Sequence, residues 1–194
     1  MPTLWTQDAP QLARDEENEA SADPFLCAIG GEGRDFPMLL DVCRQVSPLR
    51  VVIIARPHSL QGLRVPDNVE VLINRPLTEV WSLARRSSGV LVPLLRDDTC
   101  CGHVTLVGAK LLGIPLLTTH SAATREYVDN RPSVLQSSPG SARDFAQLAA
   151  RLVDQRVAFR DLARQAMPAE RQIHSRMVWA DYLVDFVDRH FPLD

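Results

Sequence analysis

Short apolar runs alternate with stretches of helical periodicity from Phe25 onward. Most of these runs are apolar at consecutive positions and all are too short for a helix, which is typical of strands buried on both faces of a sheet. The pattern predicts six strands, at 25–29, 50–55, 69–73, 90–93, 115–118 and 133–136. It predicts helices in the intervening stretches, at 36–43, 78–86, 103–112, 122–129 and 141–154. Thr78 is expected to cap the second of these helices, and Gly113 to end the third.

Strands alternating with helices predict an α/β fold with a single Rossmann-like, doubly wound parallel sheet of about six strands and helices on both faces. The crossovers should be right-handed. In such sheets ligands bind beyond the carboxyl ends of the strands. The loops after Ile29, Ala55, Ile73, Pro93 and Thr118 are therefore the places to look for a site.

The two ends of the chain differ from this pattern. Residues 1–23 include a charged stretch, 14–21, without apolar periodicity, and are predicted to form an acidic flexible tail in which Trp5 is the exception. Residues 24–194 are predicted to form the domain, which ends in a helix with a wide apolar stripe. We interpret that helix as a core helix whose surplus apolar surface allows a second contact, such as homo-oligomerisation. The stripe consists of Val178, Trp179, Tyr182, Leu183, Phe186, Val187 and Phe191.

Composition narrows the class further. A chain of 194 residues with 45% hydrophobic residues is not disordered, and a net charge of −3 gives no reason to expect a nucleic-acid partner. The sequence contains neither a signal peptide nor an apolar run long enough to be a transmembrane segment. Four cysteines lack C-x-x-C spacing, and Cys100 and Cys101 are adjacent, so we expect reduced thiols in a cytoplasmic protein. No metal site and no cofactor are predicted.

A glycine-rich turn follows the first strand. Gly30 and Gly31 would let the backbone approach a ligand, and Arg34 would offer a guanidinium to a diphosphate. The turn has neither G-x-G-x-x-G nor Walker A spacing, and a tight strand-to-helix connection explains it equally well.

Two further loops carry candidate ligand-binding residues. Arg56 and His58 follow the second strand, where they would meet phosphate and a polar group, unless this is an ordinary surface loop. Gly102, His103 and Thr105 open the helix after the fourth strand, where backbone N–H groups attract phosphate. A general-base role for His103 is disfavoured, because no carboxylate is placed to orient it.

Taken in order, these pieces resemble the C-terminal, donor-binding domain of GT-B-fold, retaining-type nucleotide-sugar glycosyltransferases. The resemblance covers Phe25 to Val157. It rests on the glycine turn with Arg34-Asp35-Phe36, on 55–60, on 66–71, on 93–103, on Ala109-Lys110-Leu111-Leu112-Gly113-Ile114-Pro115, on 118–128 and on Pro139-Gly140. It implies that the glycine turn holds the donor diphosphate and that the loop at Gly102 holds phosphate and sugar.

The sequence departs from that family at two kinds of position. Gly108 stands where the family has the glutamate that binds the nucleotide ribose, and Gly31 stands where it usually has a basic residue. The family's acidic loop residue is matched only by Cys100 or Thr99, although Asp97 and Asp98 lie nearby. These departures predict a weakened, rearranged or lost donor site, and residues 1–24 are too few to form the family's acceptor-binding half.

Three hypotheses follow for the function. In the first, the chain is a glycosyltransferase subunit or a truncated glycosyltransferase that binds a nucleotide-sugar donor and works with a protein partner that supplies the acceptor domain. Alternatively, it is a non-catalytic descendant of that fold that acts in protein–protein interaction. The third hypothesis, another Rossmann-type small-molecule binder or an epimerase-like protein, lacks the acidic and basic groups that an epimerase needs. The identity of any catalytic residue is left open.

Overall fold

The six predicted strands form one parallel sheet in the order β3-β2-β1-β4-β5-β6. The computed structural model describes residues 4–13, 21–99 and 101–191. The strands are β1 Phe25–Ile29, β2 Arg50–Ala55, β3 Val69–Ile73, β4 Gly89–Val92, β5 Leu116–Thr119 and β6 Val134–Ser137. The helices are α1 Phe36–Gln45, α2 Leu77–Arg86, α3 His103–Leu111, α4 Arg125–Val128, α5 Ala142–Asp154, α6 Arg156–His174 and α7 Arg176–His190, and a short 3₁₀ turn, Ala122–Thr124, precedes α4.

The sheet separates two apolar cores. Side chains of α2 and α3 pack on one face with Cys27, Val52 and Val90. Side chains of α1 and α5 pack on the other face with Leu26 and Ile53. Adjacent residues of the central strands therefore point to opposite cores, which is why these strands are apolar at consecutive positions. The predicted doubly wound α/β fold is confirmed.

Two helix boundaries show which local predictions hold. Pro76, not Thr78, precedes the first residue of α2, so the expected threonine cap is wrong and no side chain caps this helix. After α3, Gly113 adopts a left-handed φ of 62°, and its N–H donates to the carbonyl of Lys110. Gly113 therefore terminates the helix as predicted.

The N-terminal residues 4–13 do not behave as a solvated tail. The N–H of Trp5 donates to the hydroxyl of Tyr127 at 2.8 Å, and the N–H of Ala13 donates to Oγ of Ser82 at 2.9 Å. Leu4 and Leu12 also pack against the core that contains α2 and α3. Residues 4–13 therefore pack against the domain, while residues 14–20 of the charged stretch lie outside the described residues.

A buried charge cluster fixes α6 against α3. Nζ of Lys110 lies 3.0 Å from Oε2 of Glu170, and Nε of Arg131 lies 3.2 Å from Oε1 of the same carboxylate. Nε2 of His174 lies 3.4 Å from Oε2, and Nδ1 of His174 lies 2.9 Å from the carbonyl of Trp5. Lys110, the only lysine of the chain, therefore joins α3 to α6. The sequence pattern had not predicted α6 as a helix distinct from the C-terminal helix.

The last helix is exposed along most of its length, and only Val178 and Tyr182 are half-buried. None of its residues is buried, so the interpretation of α7 as a core helix is wrong. Met177, Trp179, Val184 and Val187 are each between 44% and 65% exposed. The sequence predicted the apolar stripe correctly but not that the stripe would be left uncovered.

Two of the four cysteines lie in the cores. Cys27 and Cys43 are free thiols, and burial raises the pKa of each to about 12. Such thiols are chemically inert.

No helix among the described residues has an apolar stretch long enough to cross a bilayer.

Candidate anion-binding site

The loops after β1 and β4 meet where the strand order reverses. β1 and β4 are neighbours in the sheet, but β2 and β3 continue on one side while β5 and β6 continue on the other. The N–H of Asp35 donates to the carbonyl of Pro93, and the N–H of Leu95 donates to the carbonyl of Gly33, both at 3.0 Å. The two loops are therefore hydrogen-bonded to each other at the place where doubly wound sheets usually bind their ligands, and we refer to this place as the crevice.

Arg34 lies at the centre of this crevice and is only 8% exposed. Its Nη2 donates to the carbonyl of Ile29 and to Oγ1 of Thr105, and its Nη1 donates to the carbonyl of Glu32, all at 3.3 Å. Among the described residues, no carboxylate lies within ion-pair distance of the guanidinium. Burial lowers the pKa of Arg34, although the nearby Cys101 acts in the opposite direction.

The amino end of α3 faces the same guanidinium. Gly102 precedes the helix with φ of 90°, and no side chain caps it. The N–H groups of the first turn therefore have no helical acceptor, and they carry the positive end of the helix dipole. A Cβ atom on Gly102 would lie 3.5 Å from Nη1 of Arg34, which shows how closely the guanidinium approaches the start of the helix.

The glycine turn is built around the arginine. A Cβ atom on Gly30, whose φ is 127°, would lie 2.7 Å from Nη2 of Arg34, so only glycine leaves room for the guanidinium. Four of the predicted ligand-binding residues are thus brought together: Gly30, Arg34, Gly102 and Thr105. Gly31 lies instead against the stem of Arg56. A guanidinium without an ion pair and the N–H groups of a helix terminus are the kinds of donor that can bind phosphate.

Arg56 and His58 lie on the outer side of the turn. Nη1 of Arg56 is 2.6 Å from Oε1 of Glu32, and Nε2 of His58 is 3.8 Å from the same oxygen. All three side chains are largely exposed. The structure therefore places these two predicted residues next to the crevice but turns them toward a carboxylate of the protein.

His103 is oriented away from Arg34. Its ring packs edge-on against Tyr127 with the centroids 4.5 Å apart, and its Nε2 lies 3.3 Å from the carbonyl of Ala123. Tyr127 in turn stacks on His174, with the centroids 5.8 Å apart. His103 thus links the first turn of α3 to the buried charge cluster, and it does not cap the helix.

The position of Gly108 on α3 is closed to a longer side chain. A Cβ atom there would lie 2.5 Å from Cη2 of Trp81 and 3.1 Å from Nε2 of Gln7. The Gln7 amide also donates to the carbonyl of Val104 at 3.3 Å. Trp81 and the N-terminal segment therefore fill the space beside the helix where a glutamate side chain would begin.

The acidic residues of the β4–α3 loop line a small cavity of about 290 Å³ together with Leu94, Leu95, Thr119 and His120. Arg96 and Thr99 hydrogen-bond the carboxylate of Asp98 and lower its pKa to about 2. The carbonyl of Asp97 accepts from Oγ of Ser121 at 2.9 Å. Neither aspartate carboxylate makes a described contact with Arg34, and Cys100 lies outside the described residues.

Sequence reasoning missed three residues of this site. In the sequence, Glu32 is only one of the residues between the turn glycines. The one signal for an ion pair was that a carboxylate lies in the same predicted site as the cationic side chains. Gln7 lies far from α3 in sequence and reaches it through an N-terminal segment without apolar periodicity. The hydroxyl of Tyr127 accepts from the N–H of Trp5, which lies 122 residues earlier. Because every residue except proline has a backbone N–H, the sequence does not indicate which one donates to Tyr127.

Solved structures share this fold. Sucrose-phosphate synthase from Thermosynechococcus elongatus aligns over 88% of this chain and 46% of its own, with a TM-score of 0.75 and 13% identity. A glycosyltransferase from Rickettsia africae aligns over 90% of this chain and 49% of its own, with a TM-score of 0.73 and 9% identity. Anabaena HepE, solved with UDP and glucose, aligns over 87% of this chain and 49% of its own, with a TM-score of 0.71 and 14% identity.

These similarities show that the chain has the fold of one half of a GT-B glycosyltransferase. It spans about half the length of the structures that it matches. No protein-family model and no curated protein matches the sequence.

Proposed function

We propose that this chain is the donor-binding, C-terminal-type half of a retaining GT-B glycosyltransferase. It binds a nucleotide-sugar through its diphosphate, and transfer requires an acceptor-binding domain that lies outside these residues. The observation that carries the proposal is the buried guanidinium of Arg34, which faces the uncapped amino end of α3 without a carboxylate partner. Similar folds include a glycosyltransferase solved with UDP-glucose, which supports this ligand class.

The chemical contribution of such a half is electrostatic. When the bond between the sugar and the diphosphate breaks, negative charge develops on the departing oxygen. Arg34 and the first-turn N–H groups of α3 are fixed before the reaction and would stabilise that charge. Thr105 adds a hydroxyl that already hydrogen-bonds Nη2 of Arg34. No step in this scheme requires a proton transfer by His103.

The nucleoside would lie toward β3. Ile73 ends this strand and is 42% exposed, and Leu77 at the start of α2 is 73% exposed. Their apolar surfaces at the ligand-binding edge of the sheet offer a contact for a nucleobase. Because Trp81 and Gln7 occupy the flank of α3 at Gly108, we expect no carboxylate contact to the ribose from this helix.

That closed flank also favours a second candidate, a non-catalytic module that kept the fold and lost the donor site. The exposed apolar face of α7 fits this candidate, because large apolar surfaces of soluble proteins commonly mark protein interfaces. The same face would serve the first candidate as the surface for an acceptor domain. Ligand binding therefore decides between the two candidates, and the apolar face does not.

Calorimetric titration of the full chain distinguishes the two. The ligands are pyrophosphate, the nucleoside mono- and diphosphates of each base, and the corresponding nucleotide-sugars. We expect saturable binding of at least one diphosphate, tighter than its monophosphate by about tenfold or more, because one charge-assisted contact contributes roughly 1.5–3 kcal/mol. Arg44→Ala, a change at an exposed arginine on α1, should bind equally well. A folded sample that binds none of these ligands would overturn the donor-binding proposal and leave the non-catalytic module.

A further inference from the structure

Glu32 brings together the cationic groups of the glycine turn. Its carboxylate accepts from Nη1 of Arg56 at 2.6 Å and lies 3.8 Å from Nε2 of His58. Its backbone carbonyl accepts from Nη1 of Arg34 at 3.3 Å. One residue therefore touches Arg34 through its backbone and the outer pair, Arg56 and His58, through its side chain.

Arg56 is held in this direction by the shape of the turn. A Cβ atom on Gly31 would lie 2.8 Å from Cγ and 2.9 Å from Cδ of Arg56, so the arginine stem lies directly across a glycine backbone. The guanidinium is thereby folded back onto the turn next to the crevice. The side chains of Arg56, His58 and Glu32 are 58%, 66% and 68% exposed, so their contacts can be exchanged for others at low cost.

We propose that the Glu32 carboxylate is an internal competitor that holds Arg56 until a ligand phosphate displaces it. This inference rests on the proposed function, since it concerns the same diphosphate ligand. On binding, the carboxylate turns toward solvent, and Arg56 transfers its hydrogen bond from Oε1 of Glu32 to a phosphate oxygen. A diphosphate carries more charge than one carboxylate and wins the exchange, whereas a singly charged anion does not. The arrangement selects diphosphates over weaker anions.

A double-mutant cycle measured with inorganic pyrophosphate tests this mechanism. Glu32→Gln keeps the shape of the side chain and removes its charge, and it should tighten binding by about two- to fivefold, the range of an exposed ion pair. Glu70→Gln is the matched control, because Glu70 forms a similar exposed pair with Arg50 away from the crevice. The control should leave the affinity unchanged. In an Arg56→Gln background, Glu32→Gln should give no gain.

The outcomes distinguish a failure of the Glu32 inference from a failure of the proposed donor-binding function. Normal binding by the wild-type chain with no gain in Glu32→Gln overturns the inference alone. A gain that persists in the Arg56→Gln background also overturns it, because Glu32 would then act by general repulsion of anions. If pyrophosphate binds to none of these five proteins and no nucleoside diphosphate binds to the wild type, the proposed function falls, and the inference falls with it.

Discussion

Glu170→Gln is expected to lower the free energy of unfolding by about 3–5 kcal/mol, the usual cost of breaking a buried ion pair from one side. The side chains of Lys110 and Glu170 are 3% and 4% exposed, so neither charge is compensated by water. Removing the carboxylate leaves the ammonium of Lys110 beside Arg131 without an opposite charge. Chemical denaturation followed by circular dichroism measures the change.

Two variants control this prediction. Glu126→Gln removes an exposed acidic group from α4 and should change stability by less than about 0.5 kcal/mol. The double variant Lys110→Met with Glu170→Leu should recover most of the loss, since apolar replacement of both partners is often close to neutral. A Glu170→Gln protein as stable as the wild type would show that the cluster does not hold α6 against α3.

The pH dependence of stability should follow from the same carboxylate. Burial alone would raise the pKa of Glu170, but the hydrogen bond from His174 and the charges of Lys110 and Arg131 together hold it below its ordinary value of 4.5. A lowered pKa in the folded state means that the unfolded chain binds the proton more readily. The stability that Glu170 contributes is therefore complete above pH 4.5 and is lost as the pH falls through the folded-state pKa. The Glu170→Gln variant should show a shallower loss in acid.

Arg34→Met is the second large expected effect. The substitution removes the guanidinium between β1 and α3. We expect diphosphate affinity to fall by about 10- to 150-fold, which corresponds to the roughly 1.5–3 kcal/mol of a hydrogen bond to a charged group. The diphosphate affinity of Arg34→Lys should lie between those of the wild type and Arg34→Met, because an ammonium keeps the charge but lacks the planar set of donors. Calorimetry with pyrophosphate gives the affinities, and circular dichroism checks that each variant is folded.

Thr105→Val provides the neighbouring comparison for Arg34. Its hydroxyl orients Nη2 of Arg34 and carries no charge, so its removal should weaken binding by less than tenfold. Affinities that stay at the wild-type value in both Arg34 variants would place the anion elsewhere on the protein.

The fold could be predicted because its signals are local. A strand buried on both faces must be apolar at consecutive positions, and Val51, Val52, Ile53 and Ile54 follow this rule. Alternation of such runs with helices leaves few arrangements, and a parallel sheet is the simplest of them. The exposed face of α7 could not be predicted, since an apolar stripe shows that a surface should be covered but not what covers it.

The candidate site was only partly predictable for a related reason. Arg34 was found because it follows a strand and a glycine turn at the ligand-binding edge of the sheet. That it lacks a carboxylate partner, and that Arg56 bonds Glu32, depends on side-chain directions that spacing does not determine. The contacts that close the flank at Gly108 come from residues 27 and 101 positions earlier, Trp81 and Gln7, and packing over such distances has no local pattern.

The position of the anion is the central claim, and backbone NMR during a pyrophosphate titration tests it most directly. The account predicts saturable shifts of the amide signals of Val104 and Thr105 at the start of α3, with the same apparent affinity as the Arg34 side-chain signal. Amides near Gly62, a turn that leaves open space around its glycine and lies outside the crevice, should not move. Shifts confined to exposed arginines, with the first turn of α3 unchanged, would contradict the account.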